Sequence, residues 1–117
     1  MASGVLNSGL LDTPAPITLN PVENRCTIAQ NYSYRIGNVL YLICTGQASV
    51  SMDNVQALAI QDSPLTDPQG VIYSGTKGSS QWNATEVIYV FVREGQVTLR
   101  GLSSGEWFHI HLAIPIV

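Results

Sequence analysis

Charged residues are unusually scarce in this sequence. Lys, Arg, Asp and Glu make up 11% of its 117 residues, whereas a typical soluble domain contains about 25%. The five basic residues are scattered and the net charge is −3, which argues against nucleic acid and against a membrane surface as partners. The surface must therefore be built from uncharged polar residues or be covered by other copies of the chain. We expect both, and hence an oligomer.

Long apolar runs and cysteines are also few. No run approaches the roughly 20 residues that span a bilayer, and the N-terminus lacks the basic region and apolar stretch of a signal peptide. The two cysteines, Cys26 and Cys44, are too few for a disulfide scaffold. A disulfide between them stays open, although the interpretation that we favour is two buried free thiols in a reducing compartment.

No segment shows the spacing of apolar residues that is typical of a helix, and apolar residues recur instead with the period of two that is typical of strands. Over residues 38–52 the even positions are mostly apolar, whereas the odd positions change from apolar before residue 44 to polar after it. This predicts one long strand or two strands joined near Gly46, buried on both faces at first and then on one. Residues 85–94 form the most β-prone segment, and Glu94-Gly95 predicts a hairpin turn. Further strands are predicted at residues 17–19, 27–30, 32–36, 55–60, 71–73, 96–100 and 106–117. The sequence therefore predicts an all-β fold, an antiparallel sandwich or barrel.

The alternating pattern also predicts which residues form the core. We expect six side chains on the long strands to be almost fully buried: Leu40, Leu42, Ile88, Val90, Val97 and Leu99. Residues 1–25 are different, because Pro14, Pro16 and Pro21 exclude a helix or a central strand there. We therefore expect an extended leader over residues 1–25 and a head domain over residues 26–117.

Three segments occur in an order that is similar to a known family. They are residues 34–42 (YRIGNVLYL), 93–101 (REGQVTLRG) and 107–112 (WFHIHL). Together they resemble the C-terminal head or receptor-binding domains of bacteriophage tail fibres and baseplate proteins, over roughly residues 27–114. Unlike a full fibre protein the sequence has no long repetitive shaft, so an excised head and a complete protein both stay open.

The resemblance implies a fold, an assembly and a role. The fold would be a jelly roll similar to the TNF and C1q heads, assembled as a homotrimer. The role would be recognition of a host-surface glycan or other polymer, by a protein made in the bacterial cytoplasm and located in the virion as part of the phage tail. Two alternatives stay open: a structural oligomerisation domain of a virion or bacterial surface assembly that has no ligand, and a free carbohydrate-binding module.

Exposed aromatic residues are the candidates for a saccharide site, since sugar rings stack on flat aromatic faces. Trp82 is the strongest, because it lies in a polar loop between strands. We expect Gln81 and Asn83 to support it, with Tyr73 and the loop at residues 62–70 as neighbours. The alternative is that Trp82 only caps the end of the sandwich. Tyr32, Tyr34 and Trp107 are weaker candidates, with Trp107 expected in the core or an interface.

His109 and His111 are the pair with metal-ligand character. On a strand, a spacing of two places both imidazoles on one face. Three copies around a threefold axis would supply six nitrogens, and the resemblance supports this, because similar His-x-His motifs occur in some phage fibre trimers. The simpler interpretation, which we favour, is that the two residues line a half-exposed strand face.

Catalytic motifs are missing from the sequence. It contains no nucleophile elbow and no glycine-rich phosphate loop, and its carboxylates have no telling spacing. The loop at residues 62–70 has two carboxylates but lacks the alternating oxygen ligands of a calcium site. We therefore expect a binding or structural protein without a cofactor rather than an enzyme.

Overall fold

The computed structural model describes residues 13–116, and this part of the chain contains ten strands. The strands are β1 (Ala15–Pro16), β2 (Leu19–Pro21), β3 (Cys26–Asn31), β4 (Tyr34–Ile36), β5 (Val39–Ala48), β6 (Met52–Ile60), β7 (Val71–Gly78), β8 (Glu86–Arg93), β9 (Gln96–Leu102) and β10 (Trp107–Pro115). Within this range no helix has the length and apolar character needed to cross a membrane.

The strands pair in the order β1-β4-β5-β10-β7-β8-β9-β6-β2, and β3 joins the same edge of β5 as β4 does. Every pairing is antiparallel. The curled sheet encloses one core, and its two halves meet where β10 pairs with β7. This arrangement is consistent with a β-sandwich and confirms the predicted all-β antiparallel fold.

The inner face of the sheet is the one that the period-two pattern predicts. Along β5 fully buried residues alternate with half-buried ones over the whole strand. The six predicted core side chains are all between 0% and 2% exposed. Val90 pairs with Leu99 on the adjacent strands β8 and β9, so the strands that the sequence marks most clearly supply the centre of the core.

The break within residues 38–52 lies three residues later than Gly46. Strand β5 continues to Ala48, and β6 begins at Met52. Gly46 stays inside the strand because the Phe108 ring packs against its backbone, where a Cβ atom would lie 2.5 Å from the Phe108 Cζ atom. Glycine is therefore needed at this position for close packing rather than for a turn.

The hairpin at Glu94-Gly95 is confirmed. Arg93 pairs with Gln96, so two residues connect β8 to β9. Glu94 has a φ of 52°, which lies in the left-handed region that such tight turns require.

The described part of the predicted leader, residues 13–25, contributes two short strands to the sheet. Strand β1 pairs with β4 and β2 pairs with β6, so these two short strands lie at opposite ends of the sheet order. Pro16 and Pro21 are tolerated because such strands have a free side that needs no N–H donor. The single strand predicted at residues 17–19 is thus two strands, while Leu6, Leu10 and Leu11 lie outside the described residues.

Cys26 and Cys44 are free thiols, and both are buried. Cys26 pairs with Ala48, four residues along β5 from Cys44, which is roughly 13 Å at about 3.3 Å per residue. A disulfide needs Cα atoms within about 7 Å. Burial raises the thiol pKa of Cys26 to about 11 and that of Cys44 to about 12, so both are protonated and unreactive near neutral pH.

Candidate functional site

Trp82 lies in the loop between β7 and β8, and its side chain is 79% exposed. The backbone around it is fixed by local hydrogen bonds. The Asn83 side-chain oxygen accepts the Ser79 N–H at 2.8 Å, the Trp82 N–H donates to Ser80 Oγ at 3.3 Å, and the Thr85 N–H donates to the Lys77 carbonyl at 2.8 Å. A large flat side chain therefore projects from an ordered loop into solvent, which is an unfavourable place for an indole that has only a packing role.

Gly78, the last residue of β7, lets this loop fold back on the sheet. A Cβ atom at position 78 would collide with both the carbonyl and the side-chain oxygen of Asn83. The loop can approach the strand this closely only because the residue has no side chain. Gly78 and Asn83 therefore position the loop that contains Trp82.

His109 ties the loop to β10. Its Nε2 atom lies 3.0 Å from the Asn83 carbonyl, and its Nδ1 atom lies 3.4 Å from Thr45 Oγ1 on β5. A carbonyl can only accept, so Nε2 carries the proton, and in the neutral ring Nδ1 accepts from the Thr45 hydroxyl. The imidazole thus joins three parts of the fold at one point: β5, β10 and the loop that contains Trp82.

Beyond this point the two halves of the sheet separate. The β7–β10 ladder ends where His109 pairs with Thr76. β10 then continues along β5 to Pro115, while β7 follows β8 from Thr76 back to Val71. An open groove of about 430 Å³ lies at this divergence, on the outer side of the sheet. Its polar and aromatic lining comes from Gln30, Tyr32, Thr45, Ser74, Thr76, His109 and His111.

Several polar side chains in this lining have no hydrogen-bond partner in the described protein. Within residues 13–116, Gln30, Ser74, Thr76 and His111 make no side-chain hydrogen bond, whereas Thr45 and His109 are bonded to each other. None of the groove-lining residues in the described range is Lys, Arg, Asp or Glu. The groove therefore offers uncharged donors and acceptors beside an aromatic ring, since Tyr32 is 64% exposed.

The structure brings together three of the four predicted ligand residues. Gln81, Trp82 and Asn83 share the loop, where Gln81 is half-buried and Asn83 holds the backbone. Tyr73 lies apart from them. It lies five residues before Gly78 on β7, roughly 16 Å away at about 3.3 Å per residue, and it lines a separate cavity with Leu65 and Asp67. Burial, and then the charge of Asp67, raises its pKa.

The predicted histidine pair does share the outer face of β10, but the two rings differ. Both nitrogens of His109 are engaged by Thr45 and Asn83, whereas His111 is exposed and has no partner within residues 13–116. The described residues contain no cluster of three or more His, Cys, Asp or Glu side chains that could hold a metal ion. Metal binding through His109 would therefore displace one of these two contacts, the one with Thr45 at Nδ1 or the one with Asn83 at Nε2.

Sequence reasoning did not find Gln30, Thr45 or Thr76 as members of a site. Each is an ordinary polar residue at a strand position, and the strands that bring them together are far apart in the chain. Their only signal is a polar side chain on a strand, which most solvent-facing positions share. Tyr34, a weaker candidate, stacks on Tyr41 with ring centroids 4.8 Å apart and is half-buried, as is Trp107.

Function is inferred from this geometry and from the sequence. Compared with models of protein families, with curated proteins and with solved structures, the chain matches none of them.

Proposed function

We propose that this domain is a non-catalytic binding module that recognises a host-surface saccharide, with Trp82 as the stacking platform. One observation supports the proposal above all: the indole is 79% exposed, yet the loop backbone beneath it is held by hydrogen bonds to Asn83, Ser80 and Lys77. A platform that is already ordered loses little conformational entropy when a ligand binds. The apolar face of a sugar ring fits such a surface, as aromatic rings do.

The proposed setting is the one that the resemblance to phage head domains implies. The domain would form a homotrimer in the tail of the virion, after synthesis in the bacterial cytoplasm. One stacked sugar contributes only about 0.5–1.5 kcal/mol beyond the area that it buries, so a single site binds weakly. Three identical sites on one trimer raise the apparent affinity for a repetitive surface by about 100-fold or more when they engage together.

The test is Trp82→Ala, assayed on an array of bacterial capsule and lipopolysaccharide oligosaccharides. We expect binding to disappear while the melting temperature and the oligomeric state stay as in the wild type. Tyr89→Ala is the matched control, because Tyr89 is also an exposed aromatic, at 52%, on the outer face of β8, and its loss leaves binding intact. A Trp82→Ala protein that unfolds, or that binds as the wild type does, overturns the proposal.

A second candidate function is a structural oligomerisation domain without a ligand. It is favoured by two solvent-exposed apolar side chains on one face of the neighbouring strands β7 and β8, Ile72 at 66% and Val87 at 70%. Exposed apolar surface of this kind marks contacts between proteins.

Light scattering, combined with the glycan array, separates the candidate functions. A trimer that Ile72→Asp dissociates supports assembly through this surface, and a trimer that binds no glycan on the array supports this second function. A monomer of 12.6 kDa that binds sugar is a free carbohydrate-binding module.

A further inference from the structure

We infer that the ligand is a neutral oligosaccharide that crosses the outer face of the sheet, from Trp82 over His111 to Tyr32, rather than a single terminal sugar. This rests on the proposed function and extends it along the groove. Tyr32 lines the groove, and Trp82 is next in the chain to Asn83, whose carbonyl contacts the groove-lining His109 ring at 3.0 Å. The two aromatic residues are exposed by 64% and 79%. They come from different parts of the chain, and the strands beside them belong to one continuous surface because β10 lies between β5 and β7.

The order of strands sets the length of the site. The Tyr32 N–H donates to the Ile43 carbonyl at 2.8 Å, so Tyr32 lies beside β5 on the side away from β10. Two strand spacings, about 10 Å, therefore separate Tyr32 from β10, and Asn83 contacts His109 on the near side of the Trp82 loop. This span is longer than one sugar ring. A ligand that reaches both aromatic residues must have several rings.

The floor between the two aromatic residues matches the hydroxyl groups of such a chain. Gln30, Thr76 and His111 line the groove and have no partner within residues 13–116. Polar groups of this kind are free to exchange water for ligand hydroxyls, and each contributes specificity when it does. His111 is central, because it pairs with Ile43 on β5 and so lies between Tyr32 and the β7 side of the groove.

The absence of charge in the lining determines the class of sugar. A groove for uronates, sialates or phosphorylated sugars would need Arg or Lys to pair with the anion. The groove-lining residues of the described range include neither. We therefore expect neutral hexose or N-acetylhexosamine polymers to bind more tightly than their acidic counterparts of equal length.

The experiment measures binding against chain length. Neutral oligosaccharides of glucose, galactose and N-acetylglucosamine, two to six rings long, are titrated into the full chain by calorimetry, with oligogalacturonates as the acidic series. The wild type should bind at least one neutral series with an affinity that rises about tenfold from two rings to four and then levels off. The oligogalacturonates should bind more weakly at every length.

Variants assign the two ends of the site. Tyr32→Ala should abolish the rise in affinity between two-ring and four-ring ligands, because one stacking contact is worth about tenfold in affinity. Binding of the disaccharide should stay unchanged. Trp82→Ala should remove binding at all lengths, and Tyr89→Ala should change neither. His111→Ala should weaken the four-ring ligand more than the two-ring ligand.

The outcomes separate the two proposals. If no saccharide binds, or if Trp82→Ala has no effect, the proposed function fails and the extended site fails with it. If Trp82 is required but affinity is independent of length, or Tyr32→Ala leaves the length dependence intact, the saccharide platform stands and the extended groove is wrong. Tighter binding of the acidic series overturns the assignment of a neutral ligand.

Discussion

Strands β7 and β10 differ at their two ends. At one end they are hydrogen-bonded, Lys77 Nζ lies 3.0 Å from Glu106 Oε1, and His109 holds the loop that contains Trp82. At the other end they have separated, and a cavity of about 150 Å³ is lined by Tyr73 of β7 and Ile114 of β10, with Leu65 from the preceding loop. Because the pairing of β7 with β10 stops partway, one end of this strand pair supports the Trp82 loop and the other end is open.

The difference explains why the candidate site lies where it does. A fully paired sheet would have a smooth outer face, because neighbouring strands about 4.8 Å apart leave no room for a ligand. The groove begins where Thr76 and His109 make the last pair. Rigid pairing on one side keeps the Trp82 loop ordered, and the separation on the other side exposes the polar groups of Thr76 and His111.

The largest effect should follow from weakening the core behind this divergence. Val90 pairs with Tyr73 and lies against Gly75, where the strands begin to part. Val90→Ala should lower the free energy of unfolding by about 2–4 kcal/mol, because it leaves a cavity among fully buried side chains. Val87→Ala, the same change on the same strand at a 70% exposed position, should cost less than about 0.5 kcal/mol. Urea denaturation measures both, and equal losses would show that Val90 is not part of a packed core.

Val90 also shows how much of the fold the sequence predicts. On its strand the period of two places Ile88, Val90 and Val92 on one face and Val87, Tyr89 and Phe91 on the other, and the first set is the one that the structure buries. The local turn at Glu94-Gly95 could be predicted too. Both are properties of neighbouring residues, and neither depends on which strands pair across the sheet.

The groove could not be predicted in this way. Tyr32 and Thr76 are 44 positions apart in the sequence, and they line one surface because β10, the last strand, inserts between β5 and β7. Period two gives the face of each strand but not its neighbours. Tyr73 was grouped with the Trp82 loop because the predicted strand ended at residue 73, whereas β7 continues to Gly78 and leaves Tyr73 near the other end of the strand.

The next largest effect should come from the paired end, at Gly78. Gly78→Ala should lower the free energy of unfolding by about 1–3 kcal/mol, the range for overpacking, because the new Cβ atom collides with Asn83. It should also change the fluorescence of Trp82 in the folded protein, as the loop is displaced. Thr85→Ala, an exposed position in the same loop, serves as the control. A Gly78→Ala protein with wild-type stability and fluorescence would contradict the close approach of loop and strand.

A smaller effect should distinguish the two histidines. His109→Ala removes hydrogen bonds to Asn83 and Thr45 and should lower the free energy of unfolding by about 1 kcal/mol. Amide hydrogen exchange at Asn83 and Thr85 should become faster, because the loop loses its tie to β10. His111→Ala should change neither quantity, since His111 has no partner within residues 13–116. Equal effects of the two substitutions would show that His109 does not hold the loop.

The smallest effect should be the pH dependence of the contact that closes the paired end. The Ser103 N–H donates to Glu106 at 2.7 Å and Lys77 donates at 3.0 Å, and these hydrogen bonds lower the carboxyl pKa below its usual value of 4.5. A lowered folded-state pKa means that the stabilisation is present above about pH 4.5 and is lost as the pH falls through the folded pKa.

Glu106→Gln should therefore cost up to about 1 kcal/mol at pH 7, because glutamine keeps an acceptor for Ser103 but loses the charge opposite Lys77. The cost should shrink toward zero at acidic pH, where the wild-type carboxyl is protonated. Melting temperatures of both proteins between pH 3 and pH 7 measure this convergence, with Glu86→Gln, an exposed residue on β8, as the control. A constant difference across that range would mean that the ionised form of Glu106 does not contribute to holding β7 and β10 together.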